Sequence, residues 1–343
     1  MEKKLRGLIV DDSKFMQEVL SAILRCDDEI EVIGVADNGR DAIAKVESLK
    51  PDFVTMDITM PVMDGLEAIG HIMDRFPLPI LVVTDIRDAN TAFHALSQGA
   101  LEVFSKAEVQ PEKAEQLIRK LKLLAKVKVI RHIRNRPAAF PDPKDRKAPD
   151  LGKASCKVLA IASSTGGPKA LASILSALPA DFPFPVVVAQ HIEAGFIGSL
   201  VDWINHVSPL VVKSAREGEK LAPGTVYISP ATMNMIVDYT GKIIFVEFER
   251  TDIYYPSCNK LLSSVGTVFG KDSIGLVLTG MGDDGTEGIK NIKNHGGITL
   301  AQDEESSVVF GMPREAIESG CVDAILPLNK IANHLLRLAR INQ

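Results

Sequence analysis

The stretch Val158 to Leu171, VLAIASSTGGPKAL, decides how this 343-residue chain is read. Val158 to Ala162 is an apolar run of strand length, and it stops at Ser163-Ser164-Thr165-Gly166-Gly167. Pro168 then stands where a helix would begin; proline has no N–H to lose in a first turn, and its φ is already helical. A strand, a turn of small residues and a helix start predict an α/β unit whose turn sits at the open end of a sheet. Such a turn can lift one hydroxyl clear of the backbone. The spacing Ala162-x-Ser164-x-Gly166 is one methyl away from the G-x-S-x-G nucleophile elbow. A turn of this kind more often just reverses the chain or cradles phosphate, so the neighbouring segments must decide.

Two further runs of the same type follow. Pro185 to Ala189 is a buried-strand pattern ending at Gln190-His191. Ile274 to Thr279 is another, followed by Gly280-Met281-Gly282-Asp283-Asp284-Gly285 and a helix from about Thr286. A single histidine at a strand end is usually a polar cap. A serine, a histidine and an acid at separate strand ends make up the parts list for acyl transfer. Their chain order, Ser then His then Asp, differs from the α/β-hydrolase, chymotrypsin and subtilisin orders, so an ordinary esterase scaffold is not expected. No G-x-G-x-x-G fingerprint supports a dinucleotide site, and Asp283-Asp284 lacks the alternate acids of a calcium loop.

Towards the N-terminus, Leu8–Val10, Val32–Ala36, Phe53–Met56, Ile80–Val83 and Glu102–Phe104 read as five strands separated by helix-length amphipathic segments. This alternation predicts a parallel sheet covered on both faces. Ligands of such sheets bind beyond the carboxyl ends of the strands. Those ends carry Asp11-Asp12, Asp57, Thr84 and Lys106. Three carboxylates gathered at one edge call for a cation, and all-oxygen donors suit Mg²⁺. An aspartate between a divalent ion and a lysine is placed to attack phosphorus.

From Lys126 to Lys153 the pattern gives way to a segment rich in Lys, Arg and Pro, and Pro137, Pro141, Pro143 and Pro149 forbid one continuous helix. It is expected to be a semi-rigid tether rather than a nucleic-acid arm. Formal net charge is −5, which argues against nucleic acid as the main partner. The four cysteines form no C-x-x-C pair, so neither a zinc framework nor a disulfide scaffold is indicated. No signal-peptide pattern or span-length apolar run is read in the chain, and a cytoplasmic protein without direct membrane insertion is expected.

The N-terminal pieces LIVDDS, MDITMPVMDG, VVTD and the late Lys106 resemble the response-regulator receiver domain across about residues 5–125. The resemblance implies Asp57 as phosphoacceptor, Asp11, Asp12 and Asp57 around Mg²⁺, and Thr84 and Lys106 contacting the phosphoryl group. Val103 stands where many receivers carry an aromatic switch ring, and Ala107 replaces a common proline. IASSTGGPKAL, VVVAQHI, LTGMGDDGTEGI and TLAQDEESSVVFGMPREAI resemble the chemotaxis protein-glutamate methylesterases, the CheB family. That resemblance implies Ser164 as nucleophile, His191 as base, Asp284 as orienting carboxylate, the Met281 N–H in the oxyanion hole and Thr165 shaping the turn. Here Glu193-Ala194 replace prolines, and the Tyr254–Leu262 stretch lacks a common arginine and aspartate.

The expected architecture is α/β: a five-stranded, parallel, flavodoxin-like receiver (1–125), a linker (126–153) and a doubly wound, mostly parallel methylesterase domain (154–343). By resemblance, the activity is phosphorylation-regulated hydrolysis of glutamyl methyl esters with glutamine deamidation as a second reaction. Mg²⁺ serves the receiver and no cofactor serves the ester step. The implied partners are methylated chemoreceptor helices and a chemotaxis histidine kinase. A phosphorylation-dependent binding module or phosphate sink with an inactive esterase site is the alternative. A DNA-binding regulator fits only the first domain.

Overall fold

The computed structural model describes residues 4–85, 89–127, 129, 157–250 and 252–340, and the chain divides into an N-terminal and a C-terminal compact unit. Apart from Lys126, Val127 and Val129, the segment read as a linker from 126 to 153 lies outside the described residues.

The N-terminal unit contains β1 (Leu5–Val10), α1 (Lys14–Arg25), β2 (Ile30–Ala36), α2 (Gly39–Leu49), β3 (Phe53–Met56), α3 (Gly65–Arg75), β4 (Ile80–Thr84), α4 (Ala89–Ser97), β5 (Glu102–Ser105) and α5 (Ala114–Leu124). The five strands form one parallel sheet in the order β2-β1-β3-β4-β5. All of the expected strands are present. The apolar run marks only the buried half of β1, which begins at Leu5 because Leu5 N–H still finds Glu29 O at 2.7 Å and Arg6 N–H is held by Asp52 Oδ2 at 2.8 Å. The strand order reverses direction between β1 and β3, which opens a crevice beyond their carboxyl ends. The helices start on side-chain caps: Ser13 accepts from Met16 N–H, Asn38 from Asp41 N–H and Asp64 from Glu67 N–H.

The C-terminal unit runs β6 (Val158–Ser163), α6 (Gly167–Ser176), β7 (Val186–Gln190), α7 (Ile197–Val207), β8 (Val211–Ser214), β9 (Thr225–Ile228), β10 (Asn234–Val237) and β11 (Ile243–Val246). It continues with α8 (Cys258–Phe269), β12 (Ser273–Val277), α9 (Thr286–Asn294), β13 (Ile298–Gln302), α10 (Met312–Glu318), β14 (Ala324–Leu326) and α11 (Leu328–Arg340). Seven strands form one sheet, β14-β13-β12-β6-β7-β9-β8, and every pairing in it is parallel. Strands β10 and β11 make a separate antiparallel hairpin. Its turn is closed by Asp238 Oδ1, which accepts from Thr240 N–H at 2.8 Å and Lys242 N–H at 3.0 Å.

β6 lies in the middle of the seven-stranded sheet and every residue in it is buried. Val158, Ala160 and Ala162 pack with the apolar faces of α8, α9 and α10. Leu159 and Ile161 point the other way and are fully buried too, so both faces are covered. The chain first winds from β6 toward β7 and β9, then returns to β12 on the other flank of β6. The reversal therefore falls between β6 and β12, at the turn that opened the sequence reading.

Candidate active site

Ser164 is the first residue beyond β6, and its surroundings explain why the turn is built from small residues. Ser164 N–H donates to Thr279 O at 3.1 Å, which ties the turn to the end of β12. Gly166 takes φ +77°, a left-handed conformation that side chains resist, and there the chain swings into α6. Gly280 serves by size rather than by conformation: a Cβ there would lie 2.7 Å from Ser164 Cβ and 2.3 Å from Met312 Sδ. Ser164 is half-buried, whereas its neighbours Ser163 and Thr165 are buried.

His191 follows β7 directly. The β6–β7 register pairs Ser163 with Gln190, so the next residue on each strand, Ser164 and His191, stand side by side at the same rim. Gln190 locks that pairing. Its Nε2 donates to Ser164 O at 2.9 Å and to His191 O at 3.0 Å, while its Oε1 accepts from Ser163 Oγ at 2.7 Å. A buried amide with all of these groups satisfied is a rigid clamp. His191 Nε2 lies 2.8 Å from Asp284 Oδ2. A carboxylate only accepts, so Nε2 carries the proton, and in the neutral ring Nδ1 is left as the acceptor. The imidazole is thus turned relative to the chymotrypsin arrangement, where Nδ1 faces the acid. Tyr254 stacks parallel on the imidazole, with centroids 5.4 Å apart and planes within 2°. Burial, and then the negative charge of Asp283, push the Tyr254 phenol up.

Asp284 is buried, and the N-terminus of α8 supplies what water cannot. Cys258 N–H donates to Oδ2 at 2.7 Å and Asn259 N–H to Oδ1 at 2.8 Å, with Ser257 Oγ at 3.4 Å from Oδ1. These are orphan donors of a first helical turn, and the helix dipole favours an anion there. Asn259 Oδ1 accepts from Gly285 N–H at 2.9 Å and Gly288 N–H at 3.0 Å, joining α8 to the start of α9. Cys258 Sγ sits 3.4 Å from His191 Nε2. Burial, and next the charge of Asp284, push the Cys258 thiol well up.

Among the described residues, no hydrogen bond joins Ser164 Oγ to the imidazole, and the N–H groups of Thr165 and Met281 have no acceptor. Thr165 O accepts from Thr279 Oγ1 at 2.9 Å, so this threonine also fastens the turn to β12. Unpaired backbone donors are rare in folded chains; one of these two belongs to the residue after Ser164, the other to the residue after Gly280, which packs against Ser164. Glu193 precedes a single 3₁₀ turn, Ala194–Phe196, whose Phe196 N–H bonds to Glu193 O at 3.0 Å.

In the N-terminal unit, Asp11, Asp12 and Asp57 offer carboxylate oxygens within 4.8 Å of one another. Lys106 Nζ bridges Asp11 Oδ2 at 2.7 Å and Asp57 Oδ2 at 2.8 Å. Burial pushes the Asp57 carboxyl up, against the hydrogen bond from Lys106. Burial would depress the Lys106 ammonium, but its bonds to Asp11 and Asp57 hold it above the usual lysine range. Thr84 Oγ1 is buried without a partner. Hard oxygen donors in this number, and an orphaned hydroxyl at the end of the neighbouring strand β4, fit a magnesium–phosphoryl group.

Residues 159–335 match the family model described as CheB methylesterase, and residues 8–121 match the response regulator receiver domain. This chain belongs to the CheB methylesterase family. It is 45% identical to protein-glutamate methylesterase/protein-glutamine glutaminase 3 of Paramagnetospirillum magneticum, covering 98% of this chain and 96% of that protein. It is 40% identical to protein-glutamate methylesterase/protein-glutamine glutaminase 1 of Syntrophus aciditrophicus, covering 98% of each. The crystal structure of the Thermotoga maritima CheB methylesterase catalytic domain superposes with a TM-score of 0.51 at 39% identity, covering 53% of this chain and 98% of that one.

Within the CheB family frame, sequence reasoning missed Gln190, Tyr254 and the α8 cap. Gln190 adjoins His191 and its polar side chain ends an apolar strand, which was a readable signal. The contacts of Tyr254 and Asn259 join segments far apart in the chain, and nothing local announces them.

Proposed function

We propose that this chain hydrolyses γ-glutamyl methyl esters on the cytoplasmic helices of methylated chemoreceptors, releasing methanol, under control of phosphorylation at Asp57. One arrangement carries the reading. Ser164, His191 and Asp284 follow the neighbouring strands β6, β7 and β12 at the point where the sheet reverses direction, with imidazole and carboxylate 2.8 Å apart. The family relatives, named for methylesterase and glutaminase activity, support the choice of substrate.

Ser164 Oγ attacks the ester carbonyl as His191 Nδ1 takes its proton. Asp284 holds the ring and balances the imidazolium charge. The tetrahedral oxyanion is received by the N–H groups of Thr165 and Met281; one such donor is typically worth about 10²–10³ in rate. The imidazolium then protonates the departing methoxide. A water molecule, deprotonated at Nδ1, hydrolyses the acyl-serine and regenerates the hydroxyl. A glutamine side chain follows the same path with ammonia as leaving group. No cofactor takes part in these steps.

In the receiver, a carboxylate oxygen of Asp57 accepts the phosphoryl group from a histidine kinase. Asp11, Asp12 and Asp57 would hold Mg²⁺, which when bound offsets phosphoryl charge. Thr84 and Lys106 are placed to meet the phosphoryl oxygens. The protein acts in the cytoplasm, where receptor helices and kinase are found, and needs neither nucleic acid nor membrane insertion.

Methanol release from methylated receptor membranes tests the reading. Ser164→Ala should lower the rate by at least about 10³. Wild-type turnover by that variant would overturn it, and no turnover by the native chain would leave a phosphorylation-dependent binder.

A further inference from the structure

One feature of the cleft is not required by acyl transfer: a thiol aimed at the imidazole edge that already faces the acid. We propose that His191 Nε2, Cys258 Sγ and Asp284 Oδ2 form a binding site for a borderline-soft divalent cation such as Zn²⁺, and that occupancy of this site inhibits the enzyme.

The three donor atoms lie within 4.8 Å of one another. Zinc bonds to nitrogen and carboxylate oxygen at about 2.0–2.2 Å and to sulfur at about 2.3 Å, so neighbouring donors of a tetrahedral ion stand about 3.3–3.6 Å apart. Cys258 Sγ and His191 Nε2 already stand 3.4 Å apart, and Nε2 and Asp284 Oδ2, at 2.8 Å, need to part by only about half an ångström. Imidazole, thiolate and carboxylate together suit zinc rather than magnesium or calcium, which prefer all-oxygen sites. Cys258 and Asp284 are buried, while His191 keeps 13% of its side-chain surface exposed. The other partners of Asp284, the N–H groups of Cys258 and Asn259, would orient the metal-bound carboxylate.

The proton balance explains the inhibition. The cation takes the place of the proton on Nε2, which shifts to Nδ1, and the Cys258 thiol releases its proton to solvent. With Nδ1 protonated and Nε2 on the metal, the ring has no lone pair left for the Ser164 hydroxyl. Nothing is oxidised or reduced. In the metal-free site the buried thiol lies 3.5 Å from Ala189 O, the acceptor it gives up when the metal binds.

Metal binding at these three side chains can be tested without turnover. The full chain, with excess Mg²⁺ to fill the receiver carboxylates, is titrated with Co²⁺. The expected result is a near-ultraviolet sulfur-to-cobalt charge-transfer band that saturates, is erased by Zn²⁺, persists in Ser164→Ala, and is lost in Cys258→Val and Cys258→Ser. No band in the native chain, or one that survives both Cys258 variants, overturns the proposal. The functional arm divides each protein's methanol release by its own metal-free rate. Zn²⁺ should inhibit the native chain more than about tenfold and the Cys258 variants less than about threefold, as expected when one ligand is removed. Equal inhibition of all three would also overturn it. A native chain that shows the band but no turnover would instead count against the esterase reading.

Discussion

Gly280 is a position where chemistry depends on one missing carbon atom. Because an added Cβ would fall inside contact distance of both Ser164 Cβ and Met312 Sδ, Gly280→Ala must push the serine turn away from β12 or displace α10. Overpacking of this kind costs about 1–3 kcal/mol. The urea midpoint should fall accordingly, and methanol release should drop at least about tenfold, since a displacement near 1 Å at a nucleophile is enough for that. An unchanged midpoint together with unchanged turnover would contradict the close packing. The sequence showed that a glycine-rich loop follows β12, but not which glycine faces the serine. That depends on the alignment of two strands more than a hundred residues apart, in which Val277 pairs with Ala162.

Among the elements, α8 does the most to hold the site. It caps itself with Ser257, whose Oγ accepts from Lys260 N–H at 3.3 Å, and its first N–H groups hold Asp284. Ser257→Ala should cost about 1 kcal/mol of stability, as for other serine caps, read as a shift in the denaturant midpoint. A second anchor lies just before the helix. Burial pushes the Asp252 carboxyl up, but bonds from Lys260, Glu249 N–H and Asn234 outweigh it and hold it below the usual carboxylate range. The native state therefore gains from ionised Asp252 at neutral pH, and that gain fades as pH falls through the lowered native value. Asp252→Asn should be less stable than the native chain at pH about 7, with the gap narrowing below pH about 4. A gap that stays constant across that range would show that Asp252 acts through shape alone. The α8 region was the least legible in the sequence. Its departures from the CheB pattern were visible, but the side-chain links made by Asn259 and Tyr254 have sequence separations too large for any local periodicity to encode.

At the scale of the whole chain, the test is coupling between phosphorylation and hydrolysis. With Mg²⁺ and a small-molecule phosphodonor, the native chain should release methanol several-fold faster from receptor membranes. Asp57→Asn, which keeps the shape and loses the nucleophilic oxygen, should not respond. Equal stimulation of both would mean that the donor acts elsewhere.

What the sequence determined by itself was the α/β class of both units and the strand ends that carry Asp57, Ser164 and His191. Buried parallel strands are continuous apolar runs, and the turns after them must be small or polar, so both signals are local and survive in a linear string. Tertiary structure alone decided that the imidazole presents Nε2 to Asp284, that Gln190 clamps the serine and histidine strands together, and that α8 solvates the buried carboxylate. It also decided the places of β8 to β11, β13 and β14. The reason is physical: the orientation of a ring or an amide is set by the partners that fill its hydrogen bonds, and those partners arrive only when distant segments pack.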